Sequence, residues 1–188
     1  VGLALRRLGP GRAIAVGLAV AACGLALVAA AERSDSLPAL LAALVPVGLG
    51  VGLAMTLTTD AVVSAVPPHR AGAAAAISET AYELGVALGI AVLGSVVTLV
   101  YRRSLELPAL PAEVHDRVRD SLASALSVLE PGSAAAVAAA EAFTTAMQVT
   151  SLVAAAVTAV AALVAWRTVP SPRPGGTLTG QQSLSREV

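Results

Sequence analysis

Glu79 and Glu83 are the residues of this sequence best placed to do chemistry. They lie four apart inside an otherwise apolar stretch, AGAAAAISETAYELGVALGIAVLGSVVTLVYRR, from Ala71 to Arg103. The stretch has no proline and is rich in Ala, Leu and Val. It therefore predicts one helix, with the two acids on one face. At ~1.5 Å per residue that helix is longer than a hydrocarbon core of ~30 Å. Counted from Gly72, Glu79 falls roughly 10 Å along it and Glu83 roughly 17 Å, near mid-membrane. A carboxylate at such depth costs roughly 2.5–3.5 kcal/mol on insertion scales, and intramembrane acids usually mark an ion or substrate path. Two acids one turn apart suit a proton carrier, or a site that exchanges protons for a cation. The same residues also fit an ion pair with an arginine of another helix or, for Glu79, contact with cytoplasmic water.

Two further side chains could line a path beside them. Tyr82 is placed for cation–π contact. Asp60, with Thr56, Thr58 and Thr59, forms a polar cluster. It fits an acid on an exit path, a partner for Arg70, or an interfacial acid in water. Other chemistry is poorly provided for. Cys23 is the one cysteine, which excludes an intrachain disulfide and a cysteine-rich metal site. His69 and His115 have no companions at metal-ligand spacing. Ser and Thr in apolar helices tend to bond their own backbone, so no nucleophile–base pair can be argued. No enzyme activity and no cofactor are expected. The net charge is zero, so no basic field points to nucleic acid.

The elements that hold these residues follow from where charge is missing. Of the 188 residues, 56% are hydrophobic and 13% charged, about half the usual charged share of a soluble domain. The pattern predicts an all-α integral membrane chain of four transmembrane helices and an extracellular amphipathic helix. Residues 1–12 read as a cytoplasmic turn and 13–31 as the first span. That uncharged run is longer than the h-region of a signal peptide. An external loop at 32–36 leads to a second span at 37–66, in which Pro46 predicts a kink. A Pro-Pro-His-Arg turn at 67–70 is cytoplasmic, and 71–101 is the span with the acidic pair. Tyr101-Arg102-Arg103 closes it in the manner of an interfacial anchor. Residues 102–141 form an external segment. Within it Val114, Val118, Leu122, Leu126 and Leu129 recur at helical spacing up to Pro131-Gly132. This amphipathic helix lacks a basic face and should pack on the protein. Ser133 is a plausible N-cap. The last span is 142–166, and 167–188 reads as a disordered cytoplasmic tail.

Arginine counts set the orientation. Arg6, Arg7, Arg12, Arg70, Arg167, Arg173 and Arg186 fall on one side. Arg33, Arg102, Arg103, Arg117 and Arg119 fall on the other, among most of the acids. The bias puts both termini in the cytoplasm of a cell's inner membrane. Gly48 and Gly52, and Gly85 and Gly89, form GxxxG pairs that would let helices approach closely.

Taken together, the RRLGPGR turn, the helix GLGVGLAMTLTTDAV and the stretch PPHRAGAAAAISETAYELGVALGIAVLGSV have a familiar order. They resemble the C-terminal end of the fourteen-helix drug/proton antiporters of the major facilitator superfamily, the quaternary-ammonium and multidrug efflux group. The resemblance runs to about Pro170 and is most specific over residues 70–96. It implies that the four spans are the last four of fourteen and that the external segment precedes the final helix. It also implies that Glu79 and Glu83, in Ser-Glu-Thr-Ala-Tyr-Glu-Leu-Gly, serve proton coupling and recognition of cationic substrates. The implied partners are protons, a lipophilic small molecule, the bilayer and the N-terminal helices of the full transporter. Some relatives carry an acid in an Ala-Phe-x-Asp context early in the last helix. Here Ala142-Phe143-Thr144-Thr145 has none, which departs from dicationic-drug specificity.

Alternating access needs two halves, so four spans are not expected to transport alone. The chain starts at Val1 and not Met, which fits a piece of a longer protein or an alternative start codon. Two other readings remain: a non-transporting truncated product or helix-packing partner, and an exporter of an endogenous metabolite.

Overall fold

The computed structural model describes residues 9–34, 36–107 and 110–168. Most of the N-terminal arginine turn and nearly all of the C-terminal tail lie outside these residues. The described residues form α1 (Gly9–Ala31), α2 (Leu37–Ser64), a 3-10 turn (Pro68–Arg70), α3 (Ala71–Ser104), α4 (Ala112–Asp120), α5 (Leu122–Val128) and α6 (Ala134–Thr168). No strand occurs among them. Four helices are long and apolar enough to cross a membrane: α1, α2, α3 with its preceding turn, and α6. Helix α1 begins at Gly9, ahead of the last residues of the expected turn. Helix α6 begins at Ala134, eight residues before the charge-free run. There the Ser133 hydroxyl accepts from the Ala136 N–H at 3.2 Å, satisfying a free donor of the first turn.

Helix α1 is the centre of the arrangement and packs along both α2 and α6. Its buried positions are small, mainly Ala and Gly. In a bilayer, where lipid tails are as apolar as leucine, such residues let backbones meet and gain dispersion contacts. The close approach is at Gly17 and Gly50. A methyl group added to Gly50 would meet the Ala21 backbone and lie 2.6 Å from the Gly17 carbonyl oxygen. One added to Gly24 would lie 2.7 Å from the Val47 nitrogen, beside Pro46. Val28 reaches Ala43 further along. These pairings run α1 and α2 antiparallel. Helix α2 is unbroken through Pro46. Arg12 over the Trp166 ring (5.4 Å) and Arg33 Nε donating to Gln148 Oε1 (3.2 Å) fix α1 antiparallel to α6 in the same way.

The glycines singled out from the sequence are elsewhere. A methyl group at Gly48, Gly52, Gly85 or Gly89 would meet nothing within 4 Å. These four face open surface of the described residues, and the sequence pattern missed Gly50, which lies between the first two. The reason is rotational: Gly48 and Gly52 share one face of α2, and Gly50, two residues from each, is turned toward α1.

Helix α3 is held mainly at its C-terminal end, against α6. Tyr101 is buried there with Ala142 and Ala146. Its hydroxyl donates to the Val118 carbonyl at 2.8 Å. It thus bridges α3 to α4 from within the packed end of the molecule. Arg102 Nε donates to the Arg119 carbonyl at 3.2 Å, and its guanidinium sits 3.8 Å from Asp120. The Nε bond takes up a carbonyl that α4 leaves free at its C-terminus.

The expected single amphipathic helix is two. Ser121 adopts an extended conformation (φ −162°, ψ 161°), and its hydroxyl accepts from the Ser124 N–H at 3.1 Å. It caps α5 and ends α4. The apolar stripe still serves one core: Val118, Ala125 and Ala139 are buried, with Leu105, Val114 and Leu122 around them. The segment packs on the protein, as its aliphatic stripe predicts.

Candidate functional site

The N-terminal half of α3 carries the acidic pair, positioned by an uninterrupted helix that starts just after Pro67 and Pro68 separate it from α2. Its hydroxyls do not compete for the site. Thr80 donates to the Ala76 carbonyl (2.9 Å), Ser95 to Ala91 (2.7 Å) and Thr98 to Gly94 (3.0 Å). Thr56 on α2 does the same with Gly52 (2.8 Å).

A cleft of about 440 Å³ opens between α3, α2 and α1. Glu79, Ser78 and Tyr82 line it from α3, Thr58, Thr59 and Met55 from α2, and Leu18 from α1. One carboxylate, three hydroxyl side chains and a phenol thus converge on a mainly apolar groove. Such a groove can hold a lipophilic molecule and place a negative charge beside it. Glu83 and Asp60 do not line this cleft; both are exposed. Glu79 and Tyr82 are therefore brought together with the threonines. Glu83 lies one turn further along α3, and Asp60 is not paired with Arg70. The one arginine–carboxylate pair among the described residues is Arg102–Asp120; His115 Nδ1 lies 3.9 Å from Asp116. No cluster of three His, Cys, Asp or Glu able to hold a metal occurs among these residues.

One acid escaped the sequence reading, which treated it as part of a loop. Glu32, just past the end of α1, has its Oε2 atom buried with no hydrogen-bond partner. Burial raises its carboxyl above the ordinary value of 4.5, while a side-chain hydrogen bond from Ser151 acts in the opposite direction. The signal lay in the loop's shortness. A connection this short keeps Glu32 beside the helix ends that it joins.

The Major Facilitator Superfamily model matches residues 1–101. Among curated proteins, the chain is similar to the multidrug efflux pump LfrA of Mycolicibacterium smegmatis. The two are 36% identical over 126 residues, which is 66% of this chain and 25% of that protein. It is also similar to the multidrug resistance protein Stp of Mycobacterium tuberculosis, at 37% over 63% of this chain and 22% of Stp. A third relative is the puromycin resistance protein pur8 of Streptomyces alboniger, at 39% over 50% of this chain and 19% of pur8. The chain spans about a quarter or less of the length of these relatives. No solved structure matches it significantly. With four apolar helices of spanning length and a family match covering 101 of its 188 residues, the chain belongs to the Major Facilitator Superfamily.

Proposed function

We propose that this chain is the C-terminal part of a proton-coupled multidrug exporter of a bacterial inner membrane, with both termini in the cytoplasm. Glu79 and Glu83 supply the proton and cation site, and Tyr82 and the Thr58–Thr59 pair line the adjoining substrate path. Asp60 stands near the cytoplasmic mouth of that path. The supporting observation is the cleft in which Glu79 meets Tyr82 and the α2 threonines within an otherwise apolar membrane segment. The names of the similar proteins support export of drugs or antibiotics.

The mechanism follows from the cost of an isolated charge at membrane depth. A carboxylate on α3 is neutralised either by a proton or by a cationic substrate. The two compete for one negative site, so entry of a proton from outside displaces the cation, and the exchange is antiport. The groove itself binds and orients; no bond is made or broken in the substrate. The other helices of the complete protein cover the open face of α3, including Gly85 and Gly89, and supply the second half needed for alternating access.

The test uses the complete reading frame in everted membrane vesicles, with ethidium as probe and an imposed proton gradient. Glu79→Gln and Glu83→Gln should each reduce gradient-driven ethidium transport to the level of vesicles without the protein, at unchanged expression. Wild-type transport in both single variants and in the double variant would sink the proposed site.

A further inference from the structure

Two contacts tie the ends of α1 to α6, and they mark two levels of the molecule. Gln148, which accepts from Arg33, and Trp166, against which Arg12 stacks, are 18 residues apart on α6. At ~1.5 Å per residue that is roughly 27 Å, close to a hydrocarbon core of ~30 Å. The Arg12–Trp166 contact therefore falls at a membrane–water boundary, where an indole and a guanidinium are both at home. The charge at this boundary is one-sided. Arg12 lies 5.4 Å over the Trp166 ring, and Arg167 follows that ring in the last turn of α6. All three side chains are exposed. Helix α1 has no acid, and the one acid of α6, Glu141, is near its other end. Asp60 is the acid of α2 at this level, by the register of Gly24 with Val47 and of Gly50 with Ala21. It pairs with neither arginine. In sequence, residues 1–8 and 169–186 add Arg6, Arg7, Arg173 and Arg186 and no acid.

We propose that Arg12, Trp166 and Arg167 form a docking site for the headgroup of an anionic phospholipid at this end of the α1–α6 seam. Stacking occupies a face of the Arg12 guanidinium. Its N–H donors lie in the plane of the group, so they remain available to a phosphate, and the ring holds that plane in place. Arg167 brings a second positive charge to the same end of α6. Basic groups between membrane helices at headgroup level attract anionic lipids in this way. A free phosphate would meet the same donors. The boundary level favours a phosphate that carries acyl chains, and so do Leu163 and Val164, which are exposed one turn further into the membrane. The site does not depend on the exporter reading, and it shares no residue with the Glu79 groove.

Trp166 is the one tryptophan of the chain, so its fluorescence reports on this place alone. The test uses the full chain in phosphatidylcholine vesicles that contain a minority of phosphatidylglycerol. Bromine, a quencher, is carried near the headgroup by either the one lipid or the other at the same mole fraction. Brominated phosphatidylglycerol should quench Trp166 as though enriched beside it roughly fivefold or more. Arg12→Gln and Arg167→Gln should each lower that preference roughly two- to fivefold, and the double variant should abolish it. Arg33→Gln, at the other boundary, should leave it unchanged. Arg12→Lys keeps the charge but loses the planar fork, so it should retain only part of the preference. Quenching by brominated phosphatidylcholine alone reports whether each variant is inserted with Trp166 at the same depth. Arg167 makes no hydrogen bond or ion pair among the described residues, so its variant tests the site even if Arg12→Gln loosens the seam. Equal quenching by the two lipids in the wild type overturns the site, as does a full preference in the double variant. Full retention by Arg12→Lys would also overturn it, because diffuse attraction to the surface would then explain the enrichment.

Discussion

In α1, half of the most apolar eighteen-residue window is buried inside the molecule; in α3, with its preceding turn, the share is 6%. The two helices draw on similar residues, yet α1 carries no acid between its ends and α3 carries two. Helix α1 presents Ala and Gly to both neighbours and is satisfied by them. Helix α3 displays Ile77, Leu84, Leu88 and Ile90 at the surface, each more than half exposed, together with Glu79 and Glu83. Lipid can cover the leucines at no cost, but not the carboxylates. Hydropathy alone therefore cannot separate a packed helix from an exposed one. The two acids and the low burial of α3 do.

The largest effect should come from cutting the one firm hold on α3. Tyr101→Ala removes a buried ring and its bond to the Val118 carbonyl. A large aromatic lost from a packed site costs about 3–5 kcal/mol. Tyr101→Phe, which removes the hydroxyl alone, should cost about 1 kcal/mol. Denaturant unfolding followed by helical circular dichroism measures both. Equal losses would mean that the ring fills no packed site and that the hydroxyl alone carries the contribution of Tyr101.

The next pair of variants tests the contrast directly. Gly50→Ala sets a methyl group against the α1 backbone, whereas Gly89→Ala points one into open space. The first should cost about 1–3 kcal/mol by overpacking. The second should cost nothing measurable in this chain; on the proposal that further helices cover α3 in a complete transporter, it should cost a comparable amount there. A neutral Gly89→Ala in the complete protein would leave α3 facing lipid there too.

Much of this architecture could be read before any coordinates. Charge-free runs of spanning length gave the membrane helices, because a bilayer tolerates little else. The N-cap role of Ser133 was also legible, because it depends only on local sequence. What could not be read was rotation about each helix axis. Which glycine of α2 meets α1 depends on a packing partner, so Gly50 was hidden behind its two neighbours. The bond of Tyr101 was hidden too, because nothing in its own sequence announces the Val118 carbonyl 17 residues on. In the candidate site, the acids stood out by their cost. The priority of Glu79 over Glu83 in the cleft rests on how α3 meets Thr58 and Thr59. Glu32 was missed for the converse reason, since an acid in a connecting loop looks ordinary until α6 is packed on it.

The break at Ser121 offers a smaller test, in the region that anchors α3. Ser121→Ala removes the hydroxyl that caps α5 at the Ser124 N–H. Loss of such a cap costs about 1 kcal/mol. Amide exchange of Ser124 should quicken in the variant, and an unchanged rate would show that the cap contributes nothing to the fold of the α4–α5 segment.

The smallest effect should come from Glu32, the acid at the scaffold end of the comparison. Its carboxyl is raised by burial, so the native state retains a proton at pH values where the unfolded chain has released it. With more protons bound in the native state, stability falls as pH rises. The contribution is fully present below the ordinary value of 4.5 and is lost as pH climbs through the raised native value. Once ionised, the group, with Oε2 unpartnered, is a net burden on the junction of α1 and α6. Glu32→Gln removes the titration and keeps the shape. Unfolding of both proteins across about pH 4 to 8 should therefore give curves that differ in slope, with the wild type gaining on acidification and the variant gaining less. Parallel curves would mean that Glu32 is as freely solvated as the other loop acids. The contrast would then narrow to α3 alone, with Glu79 and Glu83 as the acids held at a cost.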